Sequence, residues 1–290
     1  MPLRDPAPDP DASNLTGATT DANGLTETEF LAGYDPGTFA RPSVATDVVL
    51  LTASEGALWV VVYRRDVHPS LGSWALPGGF VRVGEPLEHA ARRILRDKTG
   101  IEGVFVEQLF TFGDPDRDPR GHIISVVYYA LVDRPRLDAR GAPGAGLFRV
   151  DVAWPGETGG PVDVVGPSGA SLPLFVDHSD VIGMAVKRLR GKLDYTPIGF
   201  QLLPEAFTLR ELQEVHESIR GEPVNKDSFR RRMLASGTLE ATGERERDVP
   251  YRPAELYRFV RRSALSTVNP RGNPWPKSLL PWAHATCAAT

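Results

Sequence analysis

GGFVRVGEPLEHAARRILRDKTGI, Gly78 to Ile101, joins a glycine-led loop to an amphipathic helix, and its reading governs the rest of the chain. Pro86 opens a helical stretch to Lys98, Leu87, Ala90, Ala91, Ile94 and Leu95 recur along one face, and Gly100 stops it. Positions 94, 97 and 98 stand at i, i+3 and i+4, so they share one face of the helix. Three carboxylates there would hold a divalent metal, Mg²⁺ in the first place, and lower the pKa of a water bound to it. This chain offers Ile94, Asp97 and Lys98 instead. Isoleucine supplies no ligand, and the ammonium puts a positive charge where the metal would sit. On this reading no catalytic residue and no metal site is assigned, and Mg²⁺ matters only to a residual hydrolysis. Lys98 either serves as a counter-charge to a bound diphosphate or is a solvated helix residue.

Outward from this stretch, VATDVVLLT (44–52) and ALWVVVYRR (57–65) are β-branched apolar runs joined by a turn, which predicts a hairpin. Strands are expected at 104–112 and 122–132, and a helix with a basic C-terminal end at 179–193. Residues 134–171 are crowded with Gly and Pro and read as an insert holding a strand or two. Residues 1–42 are rich in Pro, Asp, Ala, Thr and Gly and read as a segment that is disordered or ordered only in part. The predicted organisation is therefore a disordered 1–42, a sensing domain over 43–200, a second domain over 201–262 and an irregular tail over 263–290.

Composition sets outer limits. The chain has 290 residues, 41% hydrophobic and 24% charged, which fits neither a disordered nor a membrane protein. No apolar run reaches the ~20 residues that span a bilayer, and no basic-then-apolar leader opens the sequence. The single cysteine, Cys287, has no internal partner, so a reducing, cytoplasmic setting is expected. Net charge is −4, but residues 225–262 carry ten bases against six acids, while residues 1–30 carry six acids against Arg4.

Gly79, Glu85, Arg93 and the terminal Gly100-Ile101, preceded by Trp74-Ala75-Leu76-Pro77-Gly78, resemble the Nudix box without its metal-binding glutamates. The resemblance implies an α/β/α sandwich in which Glu85 and Arg93 brace the loop against the helix. FGDPDRDPRGHIISVVYYALV (112–132) resembles the segment of Nudix domains that recognise ADP-ribose; Arg117 and Arg120 either fork onto phosphate or ribose there or belong to a solvated hairpin turn. Arg64, Gly78, Gly79, Phe80, Glu85, Lys98, Arg117 and Arg120 are the candidate effector contacts.

The segment 202–260 parses as helix, turn, helix and β-hairpin. Thr208 and Glu211 form a capping box, Gly221 ends the first helix, Asn225 caps the second and Gly237 stops it. TLEAT and ELYRFV follow as strands around a charged loop, which describes a winged helix. Asn225, Lys226, Arg230, Arg231 and Arg232 on the second helix and Arg245, Arg247 and Arg252 on the wing are the candidate DNA contacts. The same basic surface also suits a winged helix that binds protein.

A degenerate Nudix domain followed by FTLRELQEVHE, NKDSFRRRML and RPAELYRF resembles the Nudix-related transcriptional regulators of NAD metabolism, the NrtR family. That resemblance implies an α+β chain, a Nudix sandwich followed by a winged helix-turn-helix domain. It further implies a homodimeric repressor that binds a palindromic double-stranded operator near NAD genes and senses ADP-ribose, with no other cofactor required. The alternative is a Nudix hydrolase of ADP-ribose with a C-terminal dimerisation domain. It would need ligands from outside the box, such as Asp177 or Asp180, which instead suit capping of the helix that begins there.

Overall fold

The computed structural model describes residues 19–138, 144–247 and 249–260, so Cys287 and the tail 263–290 lie outside the described residues. Met1–Pro42 and Ser43–Thr290 form two compact units. In the first, helix α1 (Glu27–Gly33) lies within the stretch expected to be disordered or ordered only in part. A capping box starts it: Thr26 Oγ1 accepts from the Glu29 N–H at 3.3 Å, and Glu29 accepts from the Thr26 N–H at 2.9 Å.

The second unit runs β1 (Ser43–Ser54), β2 (Ala57–Arg64), β3 (Trp74–Ala75), β4 (Gly78–Phe80), α2 (Leu87–Thr99), β5 (Phe105–Phe112), β6 (Ile123–Leu131) and α3 (Arg134–Asp138). It continues through β7 (Ala145–Asp151), β8 (Asp163–Val165), α4 (His178–Lys192), α5 (Leu209–Arg220), α6 (Lys226–Ala235), β9 (Leu239–Arg245) and β10 (Glu255–Phe259). Glu55 and Gly56, at φ 54° and 71°, make the two-residue turn of the β1–β2 hairpin. Positive φ at both central positions matches the right-handed twist of the flanking strands.

The main sheet is mixed, in the order β5-β6-β1-β2-β7-β8, with β1 and β6 parallel and β3 and β4 attached to β2 and β1. Both of its faces are covered, so the central strands read as continuous apolar runs. Alternate residues sort accordingly. Val48, Leu50, Val126 and Tyr128 face α2 with Ala91, Ile94 and Leu95, while Val49, Leu51, Val127 and Tyr129 face α4 with Val181, Ile182 and Leu189. Two strands form within the expected insert at 134–171, β7 pairing along β2 and β8 along β7, so this stretch extends the main sheet.

Leu212, Val215 and Ile219 of α5 and Phe229 of α6 belong to the same buried cluster as Val49, Leu51 and Leu189. The boundary placed at residue 201 therefore carries no break in the core. A bridge between Phe207 and Tyr257, with backbone bonds of 2.9 and 2.7 Å, fastens the β9–β10 hairpin to the chain entering α5. Gly221 closes α5 at φ 74°, and α6 ends at Ala235 with Ser236 as its cap and Gly237 next, in the left-handed region at φ 66°.

Candidate functional site

A cavity of about 540 Å³ opens between the β4 strand, the ends of β1 and β2, the 112–121 loop and the start of α4. That is ample for a dinucleotide-sized ligand. Gly78 is required by its neighbour: a Cβ there would stand 2.0 Å from Asp47 Oδ1 across the β1–β4 pairing. Asp47 also accepts from the Ser125 hydroxyl. Gly79 lies over Ile94, whose Cγ1 and Cδ1 would sit 3.5 Å from an added Cβ.

Of the candidate effector contacts, Arg64, Gly78, Gly79, Phe80, Lys98, Arg117 and Arg120 line this cavity. Glu85 does not and is corrected: Arg93 takes both of its oxygens, at 2.6 and 2.8 Å, and the Arg82 N–H adds a bond at 3.0 Å. These bonds, Arg93's first, hold the Glu85 carboxyl down at about 2. Arg93 also donates to the Phe80 carbonyl at 3.2 Å, so the pair braces the loop and leaves the ligand to others.

The two arginines expected to fork onto phosphate are already engaged. Arg117, its side chain 8% exposed, donates Nε and Nη2 to Asp177 at 2.8 and 2.7 Å. Asp177 occupies the cap position of α4 but makes no side-chain cap bond, contrary to the capping expected of it, because its carboxylate is turned to Arg117. Asp180 stays in the first turn of α4, where an acid suits the helix dipole. Arg120 forks onto the buried Asp118 at 2.9 and 2.6 Å and lies over the Phe80 and Phe175 rings, 5.6 and 5.8 Å from their centroids.

Several lining residues escaped the sequence reading: Asp47, Tyr63, Arg65, Phe175 and His178. Arg65 stacks on Phe175 at 4.1 Å. His178 accepts the Leu76 N–H through Nδ1 at 2.9 Å, which leaves a proton on Nε2. Burial pushes its pKa below the ordinary value, so the ring is neutral. Asp47 alone had a signal, as the one charge inside a run otherwise built for burial. Together these groups set the Phe80 and Phe175 rings beside the guanidinium groups of Arg65 and Arg120.

The metal implied by an intact box does not fit. Ile94 is 2% exposed in the core, Asp97 is bonded to Arg96 at 3.0 Å, and Lys98 is a cation whose carbonyl accepts from the Tyr63 hydroxyl. Among the described residues, no three His, Cys, Asp or Glu cluster to hold a metal ion.

The second candidate surface is the winged helix. Lys226, Arg230, Arg231, Arg232, Arg245, Arg247 and Arg252 are all exposed. Asn225 caps α6, accepting the Ser228 N–H at 3.0 Å. Phe229 anchors the helix at 2% exposure against His216, ring centroids 4.9 Å apart. Arg232 leans over Phe229 at 5.6 Å, whereas Lys226, Arg230 and Arg231 have no carboxylate within 4.0 Å among the described residues. On the wing, Arg245 bonds the Pro253 carbonyl at 3.1 Å and Arg247 stands 4.0 Å from Glu244.

Comparison with known proteins returns the same two parts. Residues 41–150 match the NUDIX domain family and residues 199–259 the NrtR DNA-binding winged helix domain family. The chain is 34% identical over 240 residues to the "ADPR responsive transcriptional repressor NtrR" of Acinetobacter baylyi, covering 82% of this chain and 90% of that protein. The crystal structure of Shewanella oneidensis NrtR complexed with a 27mer DNA superposes with a TM-score of 0.62 at 34% identity, covering 75% of this chain and 93% of that one. A MutT/nudix family protein from Enterococcus faecalis superposes with a TM-score of 0.65 at 28% identity, covering 81% and 94%.

Proposed function

The chain belongs to the NrtR family of transcriptional regulators, and from that premise we propose that it is a DNA-binding repressor whose Nudix domain senses ADP-ribose or a related nucleotide. The observation that carries this reading is the pairing, on one continuous core, of a cation-lined cavity with a helix whose cations, among the described residues, have no carboxylate partner, while no metal triad forms among the same residues. The homologous Acinetobacter protein is a repressor responsive to ADPR, and the similar Shewanella chain was crystallised on DNA.

In the cavity, Phe80, Phe175 and Arg120 form a stacking wall for a base, and Arg64, Lys98 and Arg117 supply positive charge for the phosphates. His178 Nε2–H is a neutral donor suited to a ribose or phosphate oxygen. Lys226, Arg230 and Arg231 contact operator phosphates and base edges, with Arg252 on the wing. The protein acts as a homodimer on a palindrome of NAD-metabolism genes, in the cytoplasm. Among the described residues no helix is long and apolar enough to cross a membrane.

Calorimetric titration of the full chain with ADP-ribose in the presence of a metal chelator tests the sensor half. Saturable binding of the nucleotide without metal is expected. No heat and no thermal shift at millimolar ligand would refute it.

A further inference from the structure

Helix α4 touches both halves of the molecule. Its 15 residues make a rod about 22 Å long. Val181, Ile182, Ala185, Val186 and Leu189 lock its length into the core with no exposed surface. At its start Asp177 binds Arg117 inside the cavity. Near its end lies Arg190, a guanidinium 9% exposed. Nε of Arg190 donates to the Ile219 carbonyl at 2.9 Å, and Nη1 to the carbonyls of Trp154 and Gly156 at 3.1 and 2.9 Å.

Ile219 belongs to the last turn of α5, the first helix of the winged helix. A cation on that carbonyl also meets the negative end of the α5 dipole. The Trp154 ring backs the guanidinium at 4.8 Å. Among the described residues no carboxylate comes within 4.0 Å of Arg190, so carbonyls alone hold it. Such a charge is badly placed for stability, since burial lowers its pKa and three neutral acceptors compensate it only in part. It does, however, fix α4, the 154–156 loop and α5 in one arrangement.

We propose that α4 is the coupling element between the two sites, with Asp177 as its trigger and Arg190 as its grip on the winged helix. Asp177 holds Arg117 where a ligand phosphate would, and so competes with the ligand. A phosphate that takes Arg117 frees the Asp177 carboxylate to cap the open N–H groups at the start of α4. A close-packed rod passes that rearrangement to its far end, where Arg190 carries it to α5 and through Phe229 to α6. Both residues are positioning residues, since neither needs to touch DNA.

This inference rests on the proposed sensor reading. The test measures ADP-ribose affinity by calorimetry and operator affinity by anisotropy, with and without ADP-ribose, on the full chain. For Asp177→Asn, ADP-ribose binding is expected to tighten roughly five-fold, because Arg117 loses its internal competitor, and the operator affinity without ligand shifts toward the wild-type liganded value. For Arg190→Gln, each ligand alone binds within about three-fold of wild type, while the ratio of operator affinities with and without ADP-ribose collapses toward one. Arg190→Lys, which keeps the charge but loses the fork, is expected to fall between. A wild-type ratio far from one that survives in Arg190→Gln, or a weakened ADP-ribose affinity in Asp177→Asn with the ratio intact, overturns the coupling role alone. A wild-type ratio of one overturns the sensor reading as well. Should Arg190→Gln not fold, Asp177→Asn and Arg190→Lys decide the matter.

Discussion

Truncating Ile94 to alanine asks whether the first metal position of the box has been absorbed into the core. Ile94 is 2% exposed beneath Gly79 and packs with Ala91 and Leu95 against Val48, Leu50 and Val126. The change removes three carbons, worth about 2.4 kcal/mol at ~0.8 kcal/mol each. The void left under a backbone held by the Glu85–Arg93 brace adds about 1 kcal/mol at ~24 cal/mol per Å³. The expected loss is therefore about 3 to 4 kcal/mol, or a Tm lower by roughly 6–16 °C for a unit of this size. Ile94→Val should cost about 1 kcal/mol. Urea and thermal unfolding followed by circular dichroism measure both. Ile94→Ala losing less than about 1 kcal/mol, or Ile94→Glu melting like wild type, would show that position 94 is still open and that the core argument is wrong.

Gly78→Ala drives a methyl to 2.0 Å from Asp47 Oδ1, so it should weaken ADP-ribose binding by more than about tenfold in calorimetry; wild-type affinity would contradict the close approach. His216 is buried and neutral, its pKa lowered to about 4 by burial and by the cations of Arg232 and Arg220. Because the unfolded chain takes up a proton that the folded one refuses, stability should fall as pH drops from about 6.5 towards 4. His216→Leu should flatten that part of the curve, and urea midpoints at pH 7 and 5 decide it. Replacing Arg230 or Arg231 by alanine should reduce the slope of log affinity against log salt by about 0.9 for each phosphate the variant no longer neutralises. An unchanged slope in both variants would move the DNA-reading surface elsewhere.

The local part of this molecule was open to reading from sequence. The β1–β2 hairpin, α2 with its Gly100 stop and the capping box of α5 depend on neighbours within a few residues, and each has a pattern to match. Ile94 and Lys98 announced the loss of the metal triad for the same reason. Ile94 also fell on the apolar face read for α2, whereas its place beneath Gly79 depends on how the loop packs onto the helix. Arg117 looked free because its partner, Asp177, lies 60 positions away and seemed better placed to cap its own helix. Arg190 gave no signal, since a cation near a helix end normally faces water, and only the fold brings three carbonyls around it. The strands β7 and β8 fall in the stretch read as holding a strand or two, but their membership of the main sheet depends on the open edge of β2.

The central claim is that one chain reads DNA with α6 and answers to a nucleotide in the metal-less cavity. Fluorescence anisotropy of the full chain on its own upstream DNA, titrated with ADP-ribose at one fixed salt concentration, tests it most directly. The account predicts sequence-selective binding whose affinity ADP-ribose shifts by about five-fold or more. Equal binding to upstream and scrambled DNA, unmoved by ligand, would contradict it.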